Sequence, residues 1–141
     1  MALVLLFFCL KVNSNSNLDE ECFIANVGDC RGVMSSYDGK KRKVLTDDHR
    51  PCCKKESKRI AAAGGRIYRS TAPVSSILKE VTFYGPERVL PGKLSVSRTI
   101  GDIYAKDPTL GGNPKVIIPD PDCTKILISN SDDFIILGSE F

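Results

Sequence analysis

Residues 88–102 read RVLPGKLSVSRTIGD, and in this stretch a turn is followed by a patterned segment and a charged junction. The Pro91-Gly92 pair predicts the turn. Residues 93–97 alternate polar and apolar side chains, which predicts a half-buried strand. Arg98 and Asp102 carry opposite charges and are predicted to pair across the turn or short helix that follows. The stretch is therefore interpreted as a turn and a half-buried segment followed by a polar loop whose conformation an ion pair fixes.

Nearer the N-terminus, an apolar segment ends in a glycine and an aspartate. Residues 22–27 predict a strand, and Gly28 and Asp29 stop it. Because glycine lets the backbone turn tightly, the carboxylate of Asp29 is expected to point out of the sheet edge. The residues alone leave two interpretations open, a solvated hairpin aspartate and a ligand-binding one.

The clearest predicted helix covers residues 54–63, KKESKRIAAA, and Gly64-Gly65 ends it. Charged residues occupy one side, and Ile60 with the alanines is predicted to occupy the other. Residues 134–137, FIIL, are fully apolar and predict a central strand. Between residues 65 and 88 the chain has few periodic signals, so no firm element is predicted there.

Three blocks in chain order resemble the metal-dependent serine/threonine protein phosphatases of the PP2C (PPM) type. They are ANVGDCR at residues 25–31, LTDDHRP at residues 45–51 and the stretch at residues 88–102. The resemblance implies an α+β fold, a PP2C-like αββα sandwich of antiparallel sheets flanked by helices, which this chain is expected to fill incompletely at both ends. Residues 1–141 are then the central portion of one phosphatase domain. Residues 66–88 correspond to its flap-like region, which overhangs the active site in the family.

The resemblance also implies two metal-binding residues. In these enzymes the aspartate of the GDxR motif helps to hold an additional divalent ion near the principal pair, and Asp29 occupies that position. The family strand that resembles DDFIILGS runs into an aspartate-glycine pair, where this chain has Glu140 and Phe141. Asp29 and Glu140 are therefore expected to bind Mg2+ or Mn2+ weakly, and no catalytic residue is assigned. The DGHGG-type and DN-type motifs, which supply further ligands in the family, do not occur in this sequence.

The function implied by the resemblance is hydrolysis of phosphoserine and phosphothreonine in protein substrates, with two Mg2+ or Mn2+ ions. Because several of the family's ligands are absent from the sequence, the chain alone is expected to be inactive. A non-catalytic, pseudophosphatase-like protein that binds phosphatase substrates or partners is the alternative from a different functional class.

Composition excludes few classes of protein. The 141 residues carry 20 basic and 17 acidic side chains, and this net charge of +3 predicts no nucleic-acid surface. The six cysteines include no CxxC pair, which favours free thiols in a cytoplasmic protein over a disulfide framework or a zinc site. The basic cluster KKRK at residues 40–43 is interpreted as a charged hairpin tip, with a nuclear localisation signal as the alternative.

The first ten residues, MALVLLFFCL, form an apolar run that is too short to span a bilayer. A buried strand at residues 1–10 is favoured over a signal peptide, because no basic segment precedes the run. We therefore expect neither membrane insertion nor secretion. Residues 13–21 are then predicted to form the hairpin loop that leads to the strand at residues 22–27.

Overall fold

The computed structural model describes residues 4–14, 17–76 and 79–139, and it describes side chains at residues 21–71 and 84–139. The chain forms strands joined by short connections, with helical segments after the fourth and sixth strands. The strands are β1 (Val4–Ser14), β2 (Asn17–Val27), β3 (Arg31–Ser36), β4 (Lys41–Val44), β5 (Arg66–Ser76), β6 (Lys79–Leu90), β7 (Asp122–Ile128) and β8 (Asp132–Gly138). The helices are α1 (Lys54–Ala62), α2 (Ile103–Lys106) and a 3-10 turn, Pro108–Leu110.

One compact unit comprises Met1–Asp48 and Pro119–Phe141. It contains two three-stranded antiparallel sheets, ordered β1-β2-β7 and β4-β3-β8. Buried residues alternate along β2 and β3, as the two-residue period of a strand requires when one face is packed. The core of this unit draws on both sheets and contains Cys22, Ile24, Met34, Leu45 and Ile126.

The N-terminal apolar run does form a strand. β1 pairs with β2 along its whole length, from Val4 opposite Val27 to Ser14 opposite Asn17. The predicted burial of residues 1–10 lies outside the described side chains. The loop predicted at residues 13–21 is wrong, because both strands continue through that region. Backbone pairing in a hairpin extends past the apolar residues, and polar side chains do not interrupt it.

The apolar run at residues 134–137 lies in β8, but β8 is not the central strand that its composition predicted. Within the described residues it pairs only with β3, at the end of its sheet. Phe134 and Ile136 are 56% and 52% exposed. An apolar run indicates a strand, whereas its position in the sheet depends on which partners the rest of the chain supplies.

The second compact unit is His49–Ile118. Its core contains Ile60 of α1, Val89 of β6, and Leu94, Ala105, Val116 and Ile117 from the later segments. Residues 66–88, for which no firm element was predicted, are largely the antiparallel hairpin of β5 and β6. That prediction was wrong because long-range pairing of two strands needs no strong periodic signal in either one.

The stretch at residues 88–102 keeps its predicted turn. Gly92 and Lys93 have positive φ angles of 100° and 57°. Glycine adopts such angles without steric cost, which suits Gly92 to this turn. The predicted strand at residues 93–97 is wrong, since only an isolated bridge joins Leu94 to Val89. Leu94 and Val96 are nevertheless buried, as the alternation indicated.

Helix α1 confirms the predicted helix to within one residue, but its buried face differs. Ile60 is fully buried as expected, whereas Ala61 and Ala62 are exposed. The second buried side chain is Glu56, which is 1% exposed. Residues four apart lie on the same face of a helix, so the face that buries Ile60 also buries Glu56.

Candidate functional site

The turn between β2 and β3 carries the first predicted site residue. Gly28 has φ of 100°, and the half-buried Asp29 follows it directly, as the glycine-aspartate pair predicted. β8 runs antiparallel to β3 and places Gly138 opposite Arg31. The end of β8 therefore lies beside the Asp29 turn. Glu140, the second predicted site residue, lies outside the described residues.

The segment after β4 holds this turn through side chain to backbone hydrogen bonds. Buried Thr46 donates from Oγ1 to the carbonyl oxygen of Cys30 at 3.1 Å and accepts from the Gly32 amide at 2.9 Å. Asn26 is buried and donates from Nδ2 to the carbonyl oxygen of Asp47 at 2.9 Å. These bonds satisfy backbone groups that the tight turn leaves without ladder partners, and they hold Asp29 in a defined position.

Charge near the turn is partly neutralised by an arginine. Arg31 donates to both carboxylate oxygens of Asp48, from Nε at 3.0 Å and Nη2 at 2.9 Å. This bidentate contact raises the pKa of Arg31 above its usual value. Burial, together with the nearby charges of Asp29 and Asp48, raises the pKa of the Cys30 thiol. Cys30 is therefore expected to remain a protonated thiol.

The donor set at this turn fits only a hydrated cation. Asp48 is paired with Arg31, and Asp29 supplies a second carboxylate at the tip of the turn. Among the residues that the structure describes, no group of three His, Cys, Asp or Glu side chains is arranged to hold a metal. Mg2+ commonly keeps several waters and binds one or two carboxylates, and one ligand from this turn is compatible with that mode.

We expect Thr46→Val to destabilise the first compact unit by about 1–3 kcal/mol, because it leaves the Gly32 amide and the Cys30 carbonyl without their partner. Urea unfolding followed by circular dichroism measures the change. Thr109→Val is the matched control, since Thr109 is exposed and, in the described part of the chain, its hydroxyl bonds to nearby Asp107 alone. Equal midpoints for the two variants would contradict the role given to Thr46.

The second compact unit contains a buried network of charges centred on Glu56. Arg98 donates to Oε1 of Glu56 from Nη2 at 2.6 Å and from Nε at 3.2 Å. Arg59 donates to Oε2 at 2.7 Å, and the Ser97 hydroxyl donates to the same oxygen at 2.6 Å. Arg59 also donates to the carbonyl oxygens of Ser97 and Val116. The network therefore joins α1 to both segments that follow the hairpin.

Two opposing effects act on the pKa of Glu56. Burial raises it, but hydrogen bonds from Arg98, Arg59 and Ser97 outweigh burial and lower it from 4.5 to about 2. The carboxylate is thus ionised at neutral pH. Its lone pairs are occupied by protein donors, so the network is structural in character and offers no open position for a substrate.

The structure gives Arg98 a partner other than the predicted Asp102. Arg98 binds Glu56, which lies 42 residues earlier in the chain. Asp102 adopts φ of 50°, and its Oδ2 is buried with no hydrogen-bond partner within the described part of the chain. Burial lowers the pKa of nearby Lys106, and the charge of Asp102 partly offsets this. Opposite charges four residues apart predicted a local pair, whereas a buried carboxylate from α1 binds Arg98.

Glu56 and Arg59 were predicted to lie on the charged side of the helix at residues 54–63, and no role was predicted for them. The signal was available in the spacing of Glu56 and Ile60, since a helix that buries one buries the other. Among the described residues, no helix is long and apolar enough to cross a membrane.

Comparison with known sequences identifies relatives of this chain. The family model described as "Protein phosphatase 2C" matches residues 8–140. "Protein phosphatase 1L" of Bos taurus is 39% identical over 123 residues, which cover 86% of this chain and 28% of that protein. "Probable protein phosphatase 2C 27" of Arabidopsis thaliana is 33% identical over 119 residues, which cover 83% and 25%. The chain thus spans about a quarter of the length of these curated relatives.

Solved structures with the same fold are also found. "Structure of a C.elegans sex determining protein" matches with a TM-score of 0.60 and 25% identity, over 83% of this chain and 23% of that one. "Crystal structure of a phosphatase from a toxoplasma gondii" matches with a TM-score of 0.60 and 24% identity, over 84% and 29%. These matches support the α+β fold that the sequence predicted.

Proposed function

This chain belongs to the protein phosphatase 2C family, and on that premise we propose that it is the central portion of a metal-dependent phosphatase domain acting on phosphoserine and phosphothreonine in proteins. The observation that carries the proposal is the geometry of the β2–β3 turn. The family's GDxR aspartate position falls on Asp29, and the end of β8 lies beside it. The cytoplasmic location predicted from the sequence belongs to the same proposal.

We place one divalent cation, Mg2+ or Mn2+, between Asp29 and Glu140. The antiparallel pairing of Arg31 with Gly138 supports this placement. Asp29 lies two positions before Arg31, and Glu140 lies two positions after Gly138. Both are carboxylates, and hard cations prefer oxygen ligands. Two carboxylates leave most of the coordination shell to water, so weak binding is expected.

We further propose that the 141-residue chain does not hydrolyse phosphate esters by itself. Divalent ions in hydrolases of this class activate a water molecule and neutralise phosphoryl charge, and several carboxylates are needed to hold two such ions about 3.5–4 Å apart. Asp48 is held by Arg31 and Glu56 by two arginines. In this proposal the chain contributes Asp29 as a ligand, while Thr46 and Asn26 hold its turn in place.

Metal binding is tested separately from activity. We expect Mn2+ titrated into the purified chain, followed by electron paramagnetic resonance of the free ion, to give weak binding that Asp29→Asn reduces at least tenfold. Asp107→Asn is the matched control, since its carboxylate bonds to Thr109 alone among the described residues and lies in the other compact unit. Equal Mn2+ binding by Asp29→Asn and the unaltered chain would contradict the placement of the cation.

Activity is tested with p-nitrophenyl phosphate and a phosphothreonine peptide in Mn2+. We expect no hydrolysis above buffer by the 141-residue chain, and none after Glu140→Asp alone. Hydrolysis that is abolished both by chelator and by Asp29→Ala would overturn the proposed inactivity and would assign ligand roles to residues interpreted here as structural.

The second candidate is a non-catalytic protein that binds phosphatase substrates or partners. The observation that favours it is the presence of Glu140 and Phe141 where the family has an aspartate-glycine pair. Retained binding of a phosphothreonine peptide by a chain that neither hydrolyses it nor binds Mn2+ would support this candidate over the phosphatase.

A further inference from the structure

Among the residues that the structure describes, strand β4 is the open edge of its sheet. Within the described residues of the first compact unit, β4 pairs with β3 alone, and the sheet order is β4-β3-β8. All four residues of β4 are exposed. An open edge presents unpaired backbone donors and acceptors, which another extended chain can bind.

The register shows which backbone groups face this edge. The Leu45 amide donates to the carbonyl oxygen of Gly32 at 2.8 Å, and Val44 lies opposite Val33. In an antiparallel pair the hydrogen-bonded positions alternate, so Lys43 continues the ladder with β3. The amide and carbonyl groups of Arg42 and Val44 therefore point away from β3, toward the open edge.

The side chains along this edge carry charge of one sign. Residues 40–43 are lysine, lysine, arginine and lysine, and none forms an ion pair with a described acidic residue. Lys41 lies over the Tyr37 ring at 4.5 Å from its centroid. The pKa of Asp132 is lowered mainly by its hydrogen bond from Ser36, and the charge of Lys43 contributes to this shift. Four consecutive cations in an exposed segment form a positive edge of limited length.

An open cavity of about 490 Å3 lies at the C-terminal end of the edge. It is lined by Val33 and Val44, by Arg31 and Arg42, and by residues 46–48. Val44 is 60% exposed in spite of its apolar side chain. Lysines on an edge strand commonly prevent aggregation, but an adjacent cavity lined in part by two valines is not part of that arrangement.

We propose that β4 is a docking edge for an acidic, extended peptide of another protein, which adds to the sheet as a further strand. The peptide backbone bonds to Arg42 and Val44, its carboxylates lie opposite residues 41–43, and one apolar side chain enters the cavity beside Val44. Backbone pairing supplies affinity, while charge and the cavity supply selectivity. β4 carries neither Asp29 nor Glu140, so the proposal does not depend on the proposed phosphatase function.

A peptide fits this surface better than a nucleic acid. The unpaired amide and carbonyl groups of the edge alternate with the spacing of a β-strand, which a nucleic-acid backbone does not match. The net charge of the whole chain is only +3, and the positive edge is one strand long. Nucleic-acid surfaces generally combine a wider basic area with many phosphate contacts.

The test uses the 141-residue chain and a fluorescein-labelled peptide that repeats glutamate, glutamate and valine. We expect fluorescence anisotropy to report saturable binding of this peptide and none of the matched peptide with lysine in place of glutamate. A variant combining Lys41→Gln, Arg42→Gln and Lys43→Gln is expected to bind at least tenfold more weakly. The control combines Lys54→Gln, Lys58→Gln and Lys115→Gln, which removes the same charge from exposed sites elsewhere and is expected to stay within twofold.

A second variant separates strand addition from charge attraction. Val44→Pro removes an amide that faces the open edge and keeps every charge, and edge strands accept proline. We expect it to weaken binding about tenfold, and a peptide with N-methylated alternate residues to bind equally poorly to the unaltered chain. Absence of binding, equal losses in the two charge variants, or no effect of either backbone change would overturn the proposal. Binding of a dT oligonucleotide in preference to the peptide would likewise overturn it in favour of a nucleic-acid surface.

Discussion

Replacing Glu56 by glutamine is expected to lower the free energy of unfolding by about 3–5 kcal/mol, the usual effect of removing one partner from a buried ion pair. The side chains of Glu56 and Arg98 are 2% and 5% exposed, and Arg59 shares the carboxylate. Glutamine keeps the shape of the side chain but removes the negative charge that two guanidinium groups share. Urea unfolding followed by circular dichroism measures the loss.

Glu87→Gln provides the matched control. Glu87 pairs with Arg69 at 2.9 Å, but the two side chains are 25% and 55% exposed. Solvent screens such a pair, so its loss is expected to cost less than about 1 kcal/mol. If Glu56→Gln proved no more damaging than Glu87→Gln, the central role given to the buried network would be refuted.

The same carboxylate predicts an acid-sensitive contribution to stability. The pKa of Glu56 is lowered from 4.5 to about 2 in the folded chain, so the unfolded chain binds the proton more readily. The stabilisation is complete above about pH 5 and is lost as the pH falls toward 2, with a size of about 3 kcal/mol. The unaltered chain is expected to lose stability over this range more steeply than Glu56→Gln, and parallel pH profiles would contradict the assignment.

Gly112→Ala is expected to destabilise the second compact unit by about 3 kcal/mol. An added Cβ would lie 2.6 Å from the carbonyl carbon of Ala105 and 2.6 Å from the amide nitrogen of Lys106. These are backbone atoms, and the Asn113 amide, which donates to the Ala105 carbonyl oxygen at 2.9 Å, holds the two segments together. The clash is relieved only by moving the chain, and overpacking of this kind commonly costs 1–3 kcal/mol or more.

Gly111→Ala is the neighbouring control for this prediction. Gly111 has φ of 80° and nothing within 4 Å of an added Cβ, so the substitution strains the backbone without a steric clash. Its expected cost is about 1–2 kcal/mol. Thermal unfolding of both variants measures the difference, and a higher midpoint for Gly112→Ala than for Gly111→Ala would contradict the close approach of the two segments.

Several local elements of this chain could be predicted from its residues. Helix α1, the strand that ends at Val27, and the turns at Gly28 and Gly92 were each predicted and confirmed. Each follows from the conformational preferences of a few consecutive residues, and these act whatever the rest of the chain does. The position of Asp29 at its turn was predictable for the same reason, while its role as a metal ligand stays a prediction.

Only the tertiary structure decided the partners of the charged residues and the positions of the strands. Arg98 binds Glu56 across 42 residues rather than the predicted Asp102, and β8 lies at a sheet end rather than in the centre. Local sequence does not determine which distant groups share a buried space, because the cost of burying a charge is met only when the folded chain brings donors to it. The residues by themselves thus determined helix α1 and the turns at Gly28 and Gly92, and the folded chain determined which strands pair and which charged groups are buried together.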